Sequence, residues 1–150
     1  MENIKQAKLV MLGRATKEWI KELGPNEIFV FGSNLAGRHG AGAARTAHEV
    51  WGAEMGVGVG LTGRTYALPT CDEHINPLPT KQIREHIRNF VLYARGQVGY
   101  TFLVTEIGCG LAGYTPWQIA PLFPDVTMST TNIILPLSFW EVLGNKFNGR

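Results

Sequence analysis

The sequence predicts an α/β fold, a three-layer α/β/α sandwich with a mostly parallel or mixed central sheet. Short apolar runs alternate along the chain with segments of helical periodicity, which is the order expected when helices cover both faces of a sheet. Residues 28–31 are all apolar, as in a strand that is buried on both faces. Residues 81–95 show helical spacing instead, with one apolar face formed by Ile83, Ile87, Phe90, Val91 and Ala94.

The first half of the chain is predicted to hold, in order, a helix over residues 14–23, a strand over 28–31, a helix over 41–51 and a strand over 64–70. Gly24 and Pro25 should stop the first helix, and Gly52 should cap the second. The strand over 64–70 should end at Pro69, because proline has no N–H to donate to a ladder. Residues 56–63 alternate glycine with other residues and fit a strand or a loop equally well.

The second half is predicted to hold, in order, a helix over 81–95, a strand over 101–107, a short helix, a strand over 132–135 and a closing turn or helix that starts within 139–143. Thr80 should cap the long helix, and Pro116 should occupy the first position of the short one. The polar side of the long helix carries Arg84, Arg88 and Arg95, which we interpret as a solvated face rather than a nucleic-acid site.

Composition limits the function classes. We expect one domain over residues 1–150, since 45% hydrophobic and 17% charged residues are typical of a globular chain. The net charge of +2 does not support nucleic acid as a partner. Cys71 and Cys109 stand 38 positions apart without metal-ligand spacing, so we expect neither a disulfide nor a bound metal, and no cofactor. A signal peptide and a membrane-length apolar run are both missing, so we expect a cytoplasmic protein without membrane contact.

Two glycine-rich segments follow predicted strands and are the candidate functional site. We name residues 32–42 the first glycine loop and residues 108–114 the second glycine loop. Glycines let main-chain N–H groups turn toward an anion, and loops at the carboxyl ends of strands are where α/β folds bind ligands. The sequence therefore predicts a diphosphate held between the loops. The predicted ligand-binding residues are Gly32, Ser33, Asn34, Gly40, Ala41, Gly42, Ile107, Gly108, Cys109, Gly110, Leu111, Ala112, Gly113 and Tyr114.

Known nucleotide-binding motifs do not account for these loops. The second loop matches the spacing GxGxxG, but only 37 residues follow Gly113 and no carboxylate stands at the ribose-binding position of a dinucleotide fold. A P-loop motif is absent from the sequence. A tight turn whose glycines serve packing alone is the other interpretation of the second loop.

Catalytic groups are few. Asn34 follows a buried strand and could bind a ribose or hold a water, or could satisfy only its own backbone in a turn. His39 lies within the first loop and could act as a general base, or could be a solvent-facing loop histidine. Cys109 is flanked by glycines in the anion cradle, where a thiol is either a nucleophile or simply a small residue that fits. We predict Asn34 and His39 as the catalytic candidates.

In these two loops the chain resembles the macrodomain family. The first loop of that family carries an asparagine and then glycines that open an alanine-rich helix, as residues 31–44 do. The second reads small residue, x, Gly, x, x, Gly, Tyr with a proline nearby, as residues 108–116 do. The resemblance covers residues 26–143. The family's usual adenine-binding aspartate and the first asparagine of its first loop are missing here, so the chain resembles a divergent, macrodomain-like branch.

The resemblance implies a domain that binds ADP-ribose, or a macromolecule modified with it. The second loop would wrap the diphosphate with main-chain N–H groups, Asn34 would lie near the distal ribose, and Tyr114 would pack beside the ligand. Some macrodomains hydrolyse ADP-ribosyl linkages and others only bind. The sequence leaves both open: an ADP-ribosyl glycohydrolase, or a non-catalytic module that captures or senses a nucleotide signal.

Overall fold

A computed structural model of the protein describes residues 15–16 and 20–147. The strands of this part are β1 (Ala15–Thr16), β2 (Glu27–Asn34), β3 (Gly60–Thr62), β4 (Thr65–Cys71), β5 (Thr101–Val104) and β6 (Ile133–Pro136). The α-helices are α1 (Gly42–Trp51), α2 (Thr80–Arg95), α3 (Pro116–Ile119) and α4 (Leu137–Phe147). Two short 3₁₀ segments, Ala120–Leu122 and Asp125–Ser129, lie between α3 and β6.

The six described strands are arranged in the order β1-β6-β5-β2-β4-β3. Each neighbouring pair is parallel except β3 with β4, which is antiparallel. Strand β2 lies between β5 and β4, and its Phe29 pairs with Leu103 on one side and Thr65 on the other. The predicted α/β fold with a mostly parallel sheet is confirmed.

The side chains of β2 divide between two cores, one on each face of the sheet. Phe29 and Phe31 face the core that includes α1, while Ile28 and Val30 face the core that includes α2, α3 and α4. This alternation follows from the two-residue period of an extended chain, which points successive side chains to opposite faces. Helices therefore cover both faces, and the predicted three-layer arrangement is confirmed.

On the first face, α1 approaches the sheet through small residues. Ala44 and Ala47 are buried against it, and the Trp51 ring at the end of the helix packs on Phe29, tilted by 44° at a centroid separation of 4.6 Å. Gly52 then ends the helix in the left-handed conformation, with φ of 86°. The predicted helix and its glycine cap are both confirmed.

On the second face, α2 buries the five apolar residues that its periodicity predicted. Phe90 is fully buried and packs against Tyr66 of β4 and Phe102 of β5. Burial of one such side chain contributes about 1.5–3 kcal/mol, so the five apolar residues together hold α2 on the sheet. Its start was predicted wrongly: Pro79 is the N-cap, and Thr80 is already helical without a side-chain capping bond.

The helix predicted over residues 14–23 is wrong where the structure describes it. Ala15 and Thr16 form β1, which pairs in parallel with Leu135 and Pro136 of β6, and residues 20–24 are not helical. The Thr16 hydroxyl also donates to the carbonyl of Val104 at 2.9 Å. Long-range pairing overrides the local helical pattern here. Residues 14 and 17–19 of that prediction lie outside the described part.

The region around Pro69 also departs from the prediction. Strand β4 continues through Pro69 to Cys71. Its antiparallel neighbour β3 lies in the stretch whose sequence fits a strand or a loop equally well. This strand pairs only with Thr65 to Ala67. Pro69 thus lies beyond the end of β3. Because β3 does not pair with β4 at this position, the missing N–H of proline interrupts no ladder between them.

The carboxyl-terminal third largely follows the sequence. Pro116 occupies the first turn of α3, which is preceded by a capping box between Thr115 and Gln118. Strand β6 and helix α4 then close the domain against the second face. Among the described residues, no helix combines the length and the apolar character that a membrane crossing requires.

Asn132, just before β6, joins three backbone segments. Its amide nitrogen lies 2.8 Å from the Ala94 carbonyl and 3.2 Å from the carbonyls of Gln97 and Tyr100. We predict that Asn132→Asp lowers the free energy of unfolding by about 2–3 kcal/mol, because a carboxylate cannot donate and would repel these oxygens. Thermal unfolding measures this, with water-facing Asn89→Asp on α2 as the control. Equal melting temperatures for the two variants would contradict the prediction.

Candidate functional site

The two glycine loops meet at one edge of the sheet. Because β2 and β5 are parallel neighbours, their carboxyl ends point the same way, and both loops begin there. The approach is close: a Cβ atom on Gly32 would lie 3.4 Å from the Gly108 nitrogen and 3.6 Å from the Ile107 Cα. The same Cβ would lie 3.3 Å from the Thr70 hydroxyl of β4. The structure therefore brings together the two segments that the sequence singled out.

The boundaries of the two strands differ from the prediction in opposite directions. Strand β2 runs to Asn34, so Gly32, Ser33 and Asn34 belong to the strand, whereas β5 ends at Val104. The β2–β4 ladder holds the extra residues, with a register shift before Asn34 pairs with Cys71. Beyond β5 the chain turns at once, as the Ile107 N–H donates to the Thr105 carbonyl at 2.7 Å.

Asn34 clamps the backbone of the first loop. Its amide nitrogen donates to the Arg38 carbonyl at 2.8 Å, and its amide oxygen accepts from the Arg38 N–H at 3.0 Å. The side chain is 6% exposed, so this pairing satisfies a buried amide. The structure agrees with the interpretation in which the Asn34 side chain bonds the backbone of its own loop.

The segment that precedes β3 supports the first loop from behind. The Gly56 N–H donates to the Gly37 carbonyl at 2.9 Å, and the Ser33 hydroxyl donates to the Gly58 carbonyl. A Cβ atom on Gly58 would collide with the Asn34 carbonyl, so only glycine allows this approach. These contacts fix the backbone of the first loop from one side.

His39 points into the protein, and the expectation of a solvent-facing loop histidine is wrong. The residue is 1% exposed and packs edge-on against Phe31 at a ring separation of 5.1 Å. Its Nε2 lies 2.9 Å from the Glu54 carbonyl, so Nε2 carries the proton. Nδ1 is buried without a hydrogen-bond partner among the described residues. His39 fastens the loop to the interior, and its role as a general base stays a prediction.

The end of the first loop opens α1 with free main-chain donors. Gly40, Ala41 and Gly42 are exposed, and α1 has neither a capping side chain nor an acidic residue in its first turn. The first N–H groups of a helix have no partner within it, and the helix dipole favours an anion there. These three residues stay predicted ligand contacts.

The second loop folds on its own backbone. The Gly113 N–H donates to the Gly110 carbonyl at 3.0 Å, and the Tyr114 N–H donates to the Gly108 carbonyl at 2.9 Å. Gly108 has φ of 76°, and a side chain there would press on Ile119 of α3. The remaining N–H groups of the loop bond to no other described residue, and they belong to Gly108, Gly110, Leu111 and Ala112.

Side chains of the second loop point in different directions. Leu111 is 72% exposed at the tip, whereas Ala112 is buried. Nothing lies within 4 Å of a Cβ built on Gly110, so the space beside its backbone is open. Tyr114 is half-buried, and its hydroxyl donates to the Leu78 carbonyl at 2.7 Å. Tyr114 therefore ties the loop to the start of α2.

The thiol of Cys109 is held in its neutral form. Burial raises the pKa of Cys109 to about 11, and the nearby Glu106 carboxylate adds to that rise. Sγ lies 3.6 Å from the Ile107 carbonyl. A nucleophilic thiol needs the opposite shift, so of the two interpretations of Cys109 this geometry favours the small residue that fits. Glu106 itself accepts a hydrogen bond from the Ser138 hydroxyl at 2.6 Å.

The turn after β4 satisfies its own carboxylate. Asp72 accepts hydrogen bonds from the N–H groups of His74 and Asn76, both at 2.9 Å. The Asn76 N–H is the main reason that the pKa of Asp72 is lowered. Both Asp72 and His74 are exposed or half-exposed in this turn, which holds Ile75 at a positive φ of 64°.

Sequence reasoning missed the position of Thr70 in the site. Thr70 lies against Gly32 from β4, and its hydroxyl is 3.4 Å from the Ser33 carbonyl. Only the parallel pairing of β2 with β4 brings it there, and no local motif signals that. The bonds of Asn34 to its own loop were one of the two interpretations of the sequence, but the sequence did not identify Arg38 as the partner.

The chain matches no protein-family model, no curated protein and no solved structure.

We predict that Cys109 reacts slowly with iodoacetamide in the folded protein. With a pKa of about 11, roughly one thiol in a thousand is ionised at about pH 8. Peptide mass spectrometry after timed labelling should show Cys109 modified far more slowly in buffer than in guanidinium chloride. Glu106→Gln should speed the labelling modestly, because it removes one cause of the raised pKa. Labelling of the folded protein at the rate of the unfolded chain would contradict the assignment.

Proposed function

We propose that this protein is a binding domain for ADP-ribose or a closely related nucleoside diphosphate, free or attached to a macromolecule. The diphosphate lies between the two glycine loops at the carboxyl ends of β2 and β5. The proposal gains support from the resemblance to macrodomains, which rests on the same two loops.

One observation carries the proposal. Four main-chain N–H groups of the second loop have no partner among the described residues, and the first of them, on Gly108, lies beside Gly32 of β2. Gly108 and Ala112 are buried residues, where an unpaired backbone donor is costly, and consecutive backbone N–H groups of a loop can bind anionic oxygens. A diphosphate offers enough acceptors to satisfy donors from both loops.

The same contacts favour capture of the ligand over its hydrolysis. His39 lies in the interior, the Asn34 amide is bonded to the loop backbone, and the Cys109 thiol is neutral. None of the three is poised to move a proton or attack a substrate without rearrangement. We therefore propose the non-catalytic role, in which the domain captures or senses the nucleotide.

Binding is tested at Gly110, where the structure offers a matched pair of variants. Gly110→Ala adds a methyl group into open space and should leave both folding and affinity close to wild type. Gly110→Glu adds a carboxylate among the free N–H groups and should weaken ADP-ribose binding at least tenfold by repelling the diphosphate. Isothermal titration calorimetry measures both. If Gly110→Glu binds as tightly as Gly110→Ala, the diphosphate does not lie in this loop.

Capture is separated from hydrolysis by a release assay. A protein carrying ADP-ribose is incubated with an equimolar amount of the domain, and free ADP-ribose is followed over many hours. We expect a stable complex and no release above the rate without the domain. Release by the wild type that is lost in Asn34→Ala would establish a hydrolase instead.

A further inference from the structure

The two glycine loops carry little charge to meet a dianionic diphosphate. Among residues 35–41 the one formally charged side chain is Arg38, and among residues 105–115 it is Glu106. The neighbouring turn after β4 adds the carboxylates of Asp72 and Glu73. Without Arg38, the formal charge along this edge would repel the proposed ligand.

We propose that Arg38 binds a phosphate of the ligand and that Asn34 is a positioning residue that holds Arg38 in place. This inference rests on the proposed function, since it assigns a residue to the same site. It departs from the expectation that Asn34 itself contacts the distal ribose.

Arg38 is exposed, and its side chain is available to bind a ligand. Its guanidinium forms no hydrogen bond or ion pair with any residue in the described ranges, and its hydrogen bonds to Asn34 are made by its backbone. The next cation along the chain, Arg45, is instead bonded to Glu49 at 2.9 Å. A guanidinium suits a phosphate because its planar donors make two parallel hydrogen bonds.

The Asn34 clamp explains how a loop arginine would be held. The amide of Asn34 bonds both the N–H and the carbonyl of Arg38, as a neighbouring strand would. The next residue, His39, is fixed through its side chain to the Glu54 carbonyl. Arg38 thus projects from a backbone that is pinned at two consecutive residues, so less conformational entropy is lost when its side chain binds.

The ligand contact is tested with Arg38→Gln against Arg88→Gln, an exposed arginine on the water-facing side of α2 that removes the same charge. Calorimetry is done with ADP-ribose and with inorganic pyrophosphate. We expect Arg38→Gln to weaken both ligands at least tenfold and to reduce the salt dependence of binding, while Arg88→Gln stays within twofold of wild type. Arg38→Lys, which keeps the charge without the planar fork, should fall between them.

The positioning role is tested by combining variants. Asn34→Ala should weaken ADP-ribose binding and flatten its salt dependence as Arg38→Gln does, because it acts through the same cation. The double variant should then be no weaker than Arg38→Gln alone within about twofold. Additive losses, or a salt dependence that Asn34→Ala leaves unchanged, would show that Asn34 contacts the ligand directly. If Asn34→Ala fails to fold, Asn34→Ser, whose uncharged hydroxyl can accept more weakly from the Arg38 N–H, serves in its place.

The outcomes separate this inference from the proposed function. Wild-type binding that Arg38→Gln leaves intact overturns the role of Arg38 and preserves the proposed function. Binding of pyrophosphate but not of ADP-ribose, lost in Arg38→Gln, supports the phosphate contact and overturns the nucleotide assignment. A wild-type protein that binds neither compound overturns both.

Discussion

The parallel pairing of β2 with a partner on each side is the constraint on which the rest of the molecule depends. Register with β5 sets the two glycine loops side by side, and register with β4 brings Thr70 against Gly32. The pairing also fixes which side chains of β2 face α1 and which face α2, because a slip of one residue would exchange the two cores. Fold and site are therefore specified by the same ladder.

At this edge of the sheet, main-chain N–H groups stay unpaired among the described residues, while several polar side chains are bonded within the protein. The polar side chains that the sequence offered as reactive groups serve the architecture: Asn34 and His39 fix the first loop, and Tyr114 fixes the second. The groups that stay unpaired among the described residues include main-chain N–H donors of the second glycine loop and the guanidinium of Arg38. Under the proposed function, such a set of donors would select an anion by its shape and acceptor geometry, and preorganisation would add to its affinity.

The sequence predicted the elements whose signal is local. Helix α2 carries a full apolar stripe, and Gly52 ends α1 where a left-handed residue is needed, so neither requires knowledge of distant contacts. The predictions that failed depended on contacts between residues far apart in the sequence. Ala15 and Thr16 follow a helical pattern but pair with β6, more than a hundred positions away. His39 could not be recognised as buried, since its partner Glu54 lies across α1.

The glycine-rich stretch between α1 and β3 has a significance for protein engineering. Its little regular structure makes residues 53–58 look like a natural place to insert a tag or a reporter, yet Glu54, Gly56 and Gly58 each hold the first loop through their main chain. An insertion there would deform the first glycine loop from behind without touching it. The turn at Val98, which is 90% exposed at the opposite end of the strands, has the same constraint, because the carbonyls of Gln97 and Tyr100 on either side of it bond to Asn132.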